Sequence, residues 1–159
     1  MGQRREPIAG EFRYEHPIEV RFADTDALGH VNNAVYLTYF EAARAGYYAA
    51  VAGAPFGTGE KAGERTFVIA EARLVFRRPA FFGEVLHVGC RFAWASRSSF
   101  GLEYSVRADA SPVAEARLVA DGDSVQVMFD LARSRVMRVP GDLLGMFEVY
   151  EGRAIRRTV

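Results

Sequence analysis

Residues 34–51 are the stretch that most constrains the fold, because nearly every side chain in it is apolar or aromatic. Only Glu41 and Arg44 carry charge there, and they lie one helical turn apart, so we expect them to form an ion pair. A helix that is apolar around most of its circumference must be buried inside a larger structure. The length would suit a membrane span, but two charges near its middle disfavour one. The sequence therefore predicts a buried central helix that the rest of the chain encloses.

A polar turn, residues 23–33, leads into this helix. It contains two carboxylates, a glycine, an imidazole and two amides: Asp24, Asp26, Gly29, His30, Asn32 and Asn33. The amide oxygen of Asn32 or Asn33 can accept hydrogen bonds from the free backbone N–H groups of the first helical turn, so either residue is expected to cap the helix.

Strand patterns lie on both sides of the helix. Residues 16–22 alternate between apolar and polar side chains, which is typical of a half-buried strand. The Gly-rich, charged residues 52–65 are expected to form a flexible loop. The other predicted strands are residues 67–78, 84–95, 98–109, 113–120, 124–130 and 135–139, and a short amphipathic helix follows at 142–150. One strand, one helix and then a series of antiparallel strands predict an α+β fold.

The later strands raise two structural alternatives. Asp121–Gly122–Asp123 interrupts the pattern and predicts either a hairpin turn or a bulge within one long strand. Residues 66–70 and 124–129 are apolar on both faces, so we expect another subunit to cover the sheet. The alternative is that the C-terminal helix and loops cover it.

Length and composition indicate one domain, residues 16–150, between a loosely ordered segment at 1–15 and a basic tail at 151–159. Twenty basic and twenty acidic residues give a net charge of zero, which argues against a general nucleic-acid binder. Cys90 is the only cysteine, so neither an intramolecular disulfide nor a cysteine metal cluster can form. The N-terminus shows no secretory signal, and a cytoplasmic protein is expected.

The polar turn is the strongest candidate for chemistry. The sequence has no phosphate-binding glycine loop and no nucleophilic serine elbow, and its three histidines are scattered. Asp24 and Asp26 precede a helix N-terminus, where free N–H groups and the helix dipole favour negative charge. Each carboxylate alone is typical of a structural turn residue. It is their combination with the neighbouring polar side chains that favours a site.

The pattern D-T-D-A-L-G-H-V-N-N-A-V-Y-L-T-Y-F-E-A-A-R (24–44) resembles the signature of the hotdog-fold acyl-CoA thioesterases, in the 4-hydroxybenzoyl-CoA thioesterase branch. The G-H-V-N-N form is most similar to the bacterial long-chain acyl-CoA thioesterase group. Further similarity lies in F-R-R-P-A (76–80), in the turn at 97–100 and in V-A-E-A-R (113–117), so the resemblance covers roughly residues 16–139. It implies a curved antiparallel β-sheet wrapped around one long central helix. It also implies a homodimer or homotetramer with its active site between subunits.

The resemblance also implies roles for individual residues. The second Asp of D-x-D, Asp26, corresponds to the catalytic carboxylate, and Asn33 corresponds to a position that faces the thioester. Asp24 is expected to be structural, and backbone N–H groups around residues 31–33 could polarise the thioester carbonyl or position a water. The residues predicted to bind the acyl-CoA substrate are His30, Val31, Asn32, Tyr36, Arg77, Arg78, Arg97 and Ser98. No metal and no cofactor are expected, since coenzyme A is part of the substrate.

Hydrolysis of an acyl-CoA thioester is therefore the predicted reaction, with Asp26 as nucleophile or as general base. Two alternatives remain at this stage. One is a non-catalytic hotdog module that binds acyl-CoA or an acylated carrier protein. The other is hydro-lyase chemistry, which His30 disfavours because it lies so close to Asp26 in sequence. The identity of the acyl group stays open.

The Ala120–Asp123 segment departs from the family pattern as a short insertion. It predicts a bulge or an added hairpin near a subunit contact and leaves the quaternary arrangement open.

Overall fold

The computed structural model describes residues 5–55 and 66–159. In this part of the chain the strands are β1 (Tyr14–Glu19), β2 (Thr66–Phe76), β3 (Val85–Ala95), β4 (Ser99–Ala108), β5 (Arg117–Asp130), β6 (Arg135–Val136) and β7 (Arg156–Arg157). The helices are α1 (Val35–Ala52) and α2 (Gly141–Glu151), and a short 3-10 turn spans Phe22–Asp24. Gly53 ends α1 in the left-handed conformation. The rest of the predicted loop, residues 56–65, lies outside the described residues.

The strands form one sheet in the order β1-β3-β4-β5-β2. All of these neighbours pair antiparallel, β6 extends β5, and β7 adds to β3 in parallel. The helix α1 packs against the middle of the sheet, where the ring of Phe40 stacks on that of Tyr104 at 4.2 Å between centroids. The predicted α+β architecture, a curved antiparallel sheet around a central helix, is confirmed.

The burial of α1 is one-sided. Five of its residues are fully buried, most of them aromatic: Tyr36, Tyr39, Phe40, Ala43 and Tyr47. On the other side Leu37 is 48% exposed, and Glu41 and Ala45 are exposed as well. The prediction of burial around nearly the whole helix is therefore wrong for a single chain, because the sheet covers only one side. No helix in the described ranges is long and apolar enough to cross a membrane.

The predicted ion pair within α1 does not form in the described part of the chain. The guanidinium of Arg44 turns inward and donates to the hydroxyl of Tyr104 at 3.2 Å. The carboxylate of Glu41 stays at the exposed surface.

The strand β5 is continuous through Asp121–Gly122–Asp123, so the predicted hairpin is wrong. The irregularity in its pairing with β4 falls at Val106 and Arg107, next to Val119 and not at the glycine. Gly122 is required for another reason. A Cβ there would lie 2.1 Å from the carbonyl oxygen of Arg73 and 2.9 Å from the ring of Phe40. The sequence insertion is thus ordinary strand, and residues 113–116, predicted to be strand, form a turn.

Residues 5–13 cross the face of the sheet opposite α1, and we call them the N-terminal strap. The side chain of Asp121 accepts from the N–H of Ile8 at 2.9 Å, and Arg91 donates to the carbonyl of Ala9 at 2.7 Å. The ring of Phe12 lies under the Arg91 guanidinium, and the distance from its centroid to the Arg91 Cζ is 4.6 Å. These contacts fix part of the segment that was predicted to be loosely ordered, and β1 starts at Tyr14, two residues earlier than expected.

The strand β2 lies at one end of the strand order, and within the described ranges only β5 pairs with it. Val68 and Ile69 on this strand are 44% and 42% exposed. An edge strand with exposed aliphatic residues is open to pairing with another chain. The expectation that a second subunit covers it stays a prediction.

Candidate active site

The turn before α1 is a tight loop closed at its base by a bridge between Thr25 and Val31. The N–H of Asp26 donates to the carbonyl of His30 at 3.1 Å, which sets these two residues opposite each other. Gly29 has a φ of +80°, a conformation that glycine adopts without strain, and its N–H closes the turn on the carbonyl of Asp26. The sequence D-A-L-G-H thus forms a closed turn in which the backbones of Asp26 and His30 are hydrogen-bonded to each other.

The carboxylate of Asp26 is half-buried, and in the described part of the chain only one of its two oxygens accepts a hydrogen bond. Its Oδ1 accepts from the N–H of Leu28 at 2.8 Å, which fixes the orientation of the side chain. Its Oδ2 accepts no hydrogen bond from the residues that the structure describes. One oxygen is therefore left for a substrate or a water.

Asp24 has the opposite environment. It is 2% exposed, pairs with Arg21 at 2.7 Å and accepts from the hydroxyl of Tyr39 at 2.9 Å. The hydrogen bonds from Arg21 hold its pKa below the ordinary value. With its oxygens used in this way, Asp24 anchors the turn to α1 and is structural.

The N–H of Asn33, just before α1, is a donor that no described residue uses. The N–H of Val31 donates to Ala80 at 2.8 Å, and that of Asn32 donates to the carbonyl of Asp24 at 2.9 Å. Neither the N–H nor the side-chain amide of Asn33 bonds to any residue in the described ranges. The cap residue of α1 is Ala34, without a side-chain cap, so the prediction of an asparagine cap is wrong. The side chain of Asn32, two residues before the cap, instead accepts from the Ala34 N–H at 2.9 Å.

A cleft of about 310 Å³ opens beside this turn. Six of the residues predicted from sequence line it: His30, Val31, Asn33, Tyr36, Arg77 and Arg78. Phe76 and Pro79, at the end of β2, complete the wall. Burial raises the pKa of Tyr36 to about 12, so its phenol stays protonated near neutral pH and can donate a hydrogen bond. Asp26 lies next to this cleft through its contact with His30 but does not line it.

The two arginines at the cleft differ in their partners. Arg77 is mostly buried, pairs with Asp121 at 3.0 Å and donates to the carbonyl of Arg5 at 2.7 Å. Arg78 is exposed, and no carboxylate of the described chain pairs with it. Arg78 is therefore the cation that an anionic ligand can reach, whereas Arg77 ties the end of β2 to the N-terminal strap.

Arg97 and Ser98 do not join the cleft within one chain. They lie in the turn between β3 and β4, where the carbonyl of Ser98 accepts from Met128 at 2.9 Å. The cleft lies at the other end of β5, where the N–H of its lining residue Arg77 donates to the carbonyl of Val119 at 2.8 Å. Positions 119 and 128 on one strand are about 30 Å apart at ~3.3 Å per residue.

A buried ion pair behind the cleft was not identified from sequence. Glu84 and Arg117 have side chains 1% and 6% exposed, and they approach to 2.7 Å. Arg117 also donates to the carbonyl of Pro79 at 2.7 Å, and the next carbonyl, that of Ala80, holds the N–H of Val31. This pair, which we call the Glu84–Arg117 clamp, joins the cleft wall to the turn before α1. Its one sequence signal is the V-A-E-A-R motif, which contains Arg117 without indicating its partner.

The hydrogen bonds within the clamp outweigh the cost of burial. Burial alone would raise the pKa of Glu84. The bonds from Arg117, from the hydroxyl of Ser111 and from the N–H of Phe81 lower that pKa below its ordinary value. The carboxylate is therefore charged at neutral pH. Within the described ranges, no group of three or more His, Cys, Asp or Glu side chains is arranged to hold a metal ion.

Comparison with known proteins identifies the family of the chain. A family model described as the thioesterase-like superfamily matches residues 20–147. A thioesterase from Thermus thermophilus, solved with coenzyme A and Zn, is 31% identical with a TM-score of 0.76, over 91% of this chain and 98% of that one. No curated protein matches this chain.

Two more distant structures share the fold. A 4-hydroxybenzoyl-CoA thioesterase mutant complexed with 4-hydroxybenzoyl-CoA is 24% identical with a TM-score of 0.72, over 84% of this chain and 96% of that one. A 1,4-dihydroxy-2-naphthoyl-CoA thioesterase from Synechocystis is 21% identical with a TM-score of 0.71, over 84% and 94%. The fold is thus that of the hotdog thioesterases, and the chain belongs to the thioesterase-like superfamily as a thioester hydrolase.

Proposed function

We propose that the protein hydrolyses acyl-CoA thioesters and that Asp26 is its catalytic carboxylate. The observation that carries the proposal is the presence of two polar groups, unused within the described residues, in the turn that leads into α1. One is the free Oδ2 of Asp26, and the other is the unbonded N–H of Asn33, which lines the cleft. Thioester hydrolysis needs a nucleophile or base next to the acyl carbon and a donor next to the carbonyl oxygen.

Two routes use the same carboxylate. In the first, Asp26 attacks the thioester carbon, the C–S bond breaks, and water then hydrolyses the resulting mixed anhydride. In the second, Asp26 takes a proton from a water as that water attacks, and the proton passes to the departing thiolate. In both routes the N–H of Asn33 and the phenol of Tyr36 stabilise the negative charge that develops on the carbonyl oxygen. The products are a free acid and coenzyme A.

The coenzyme A part of the substrate fits the charge distribution at the cleft. Arg78 is exposed at its wall without a carboxylate partner, so it is available for a phosphate group. The solved thioesterases that bind coenzyme A or 4-hydroxybenzoyl-CoA support this class of substrate.

We further propose that the site is completed by a second copy of the chain in a homodimer, or in a homotetramer built from two such dimers. Pairing two β2 edges about a two-fold axis sets the Thr66 end of one strand beside the Phe76 end of the other. Arg97 and Ser98 lie near the Thr66 end of their own sheet. In the dimer they would therefore approach the partner's cleft and supply further contacts to coenzyme A.

Replacing Asp26 by Asn tests the assignment. We expect the turnover of acyl-CoA substrates, followed with a thiol-trapping reagent, to fall by about 10²- to 10⁴-fold. The thermal midpoint should stay close to that of the wild type, because Oδ1 can still accept from Leu28. Asp24→Asn is the matched control, which should lower the thermal midpoint because Asp24 is buried and paired. Undiminished turnover in Asp26→Asn would refute the proposal.

A further inference from the structure

A second pocket lies on the same exposed side of α1 as the cleft. Leu37, Glu41 and Ala45 follow one another at intervals of four residues, so their side chains share one stripe of the helix. Asn33, one interval earlier, lines the cleft, whereas Glu41 and Ala45 line the second pocket. The exposed residue Leu37 lies between the two in the sequence.

This pocket, which we call the α1–β2 pocket, has a volume of about 220 Å³. Its lining consists of Glu41, Arg44, Ala45, Phe67 and Ile69. From Val35, the first residue of α1, to Glu41 the helix rises about 9 Å, at ~1.5 Å per residue. A linear acyl group bound at Asp26 and directed along the stripe would therefore bring its far end into the pocket.

The feature that distinguishes the pocket is the guanidinium of Arg44. A guanidinium has five N–H donors. In the described part of the chain only one bond is made, from Nη1 to the hydroxyl of Tyr104 at 3.2 Å, and no carboxylate lies within ion-pair distance. Arg44 is half-buried, and removing a cation from water is unfavourable unless an anion compensates it. The position thus favours an anionic ligand.

We propose that the α1–β2 pocket binds the far end of the acyl group and that Arg44 pairs with a carboxylate there. This inference rests on the proposed function. It defines the substrates as CoA thioesters of dicarboxylic acids, with one end bound as the thioester and the other free. Ala45, Phe67 and Ile69 provide an apolar wall for the methylene groups, and the planar guanidinium matches a carboxylate in two parallel hydrogen bonds. Glu41 lines the same pocket and opposes the negative charge, but its exposure to solvent weakens that repulsion.

Matched pairs of substrates test the proposal. The value of kcat/KM is measured for octanedioyl-CoA against octanoyl-CoA, and for the corresponding pairs at shorter and longer chain lengths. We expect the wild type to prefer the carboxylate-ended member of the best pair by about tenfold or more, as a charged hydrogen bond contributes. Arg44→Met should reduce this ratio at least tenfold, whereas Arg44→Lys should retain part of it. Glu41→Gln should raise it, and Arg107→Met, on an exposed residue of β4, should leave it unchanged.

Two results would overturn the inference. The wild type could hydrolyse the methyl-ended substrates equally well or better, or the ratio could be the same in Arg44→Met. In the second case, a change in the oligomeric state of Arg44→Met in light scattering identifies a second copy of the chain as the partner of Arg44. If Arg44→Met does not fold, Arg44→Lys and Glu41→Gln decide the question through the same ratio. Hydrolysis without a carboxylate preference refutes only this inference, whereas no hydrolysis of any member of the series or of an aromatic acyl-CoA refutes the proposed function.

Discussion

Breaking the Glu84–Arg117 clamp should destabilise the protein more than breaking any exposed ion pair. Both side chains are almost completely buried, and the carboxylate accepts hydrogen bonds from Arg117, Ser111 and the N–H of Phe81. Glu84→Gln removes the charge but keeps the shape, so Arg117 becomes a buried cation without its counter-ion. Removing one partner of such a pair costs about 3–5 kcal/mol of the free energy of unfolding.

Urea unfolding at one fixed protein concentration measures this cost, because self-association would otherwise shift the midpoint. Glu84→Gln and Arg117→Met should each lose about 3–5 kcal/mol. The double variant should lose less than the sum, by about 0.5–3 kcal/mol, because neither buried charge is then left alone. Glu71→Gln is the control. It breaks the ion pair with Arg73, in which both side chains are more than half exposed, and should cost less than about 1 kcal/mol.

The clamp also predicts a pH dependence. The folded-state pKa of Glu84 is lowered from its ordinary value of 4.5, so the stability that it contributes is fully present above that pH. It is lost as pH falls through the folded-state pKa. The difference in unfolding free energy between the wild type and Glu84→Gln should therefore shrink as the solution is acidified below about pH 4.5. A loss under 1 kcal/mol at neutral pH, or a difference that grows on acidification, would refute the reasoning.

Two other predictions concern the cleft and the sheet edge. Arg78→Gln should raise the KM for acyl-CoA several-fold with little change in kcat. Arg77→Gln should instead lower the thermal midpoint, because Asp121 loses its partner. Steady-state kinetics and thermal unfolding distinguish the two variants, and the reverse pattern would contradict the assignment. Light scattering should find a homodimer or larger assembly at micromolar concentration, and Val68→Asp should shift it toward monomer by adding charge to the exposed strand β2. A stable wild-type monomer would contradict both the edge argument and the shared site.

The sequence predicted those parts of the fold that depend on local pattern. The apolar run gave the central helix to within a residue at each end, and the alternation of side chains gave β3 and β4 almost as closely. The D-x-D turn with Gly29 and His30 was placed before the helix, and six of the predicted residues line one cleft. Each of these features is set by residues close together in the chain.

Features that depend on distant parts of the chain were not predictable in the same way. Gly122 was interpreted as part of a hairpin turn or a bulge, but it is needed where Phe40 approaches the sheet, a contact between residues far apart in sequence. The basic pair Arg77 and Arg78 looked equivalent, yet Asp121 binds only the first. The exposed side of α1 was expected to be buried. This expectation failed for a single chain because a hydrophobic pattern does not show which surface, or which chain, covers a helix.

The N-terminal strap shows how a segment can keep its position on the sheet while much of its sequence changes. Several of its bonds to the sheet use its backbone: the carbonyls of Arg5, Ala9 and Glu11 accept from arginines, and the N–H of Ile8 donates to Asp121. Every residue type can present these carbonyls, and every type except proline the N–H. Selection would therefore act on the receiving side chains of the sheet, and substitutions could accumulate in the strap without changing its route. Its position in relatives should be sought through Arg77, Arg91 and Asp121, and through Phe12, the strap residue whose ring packs against Arg91.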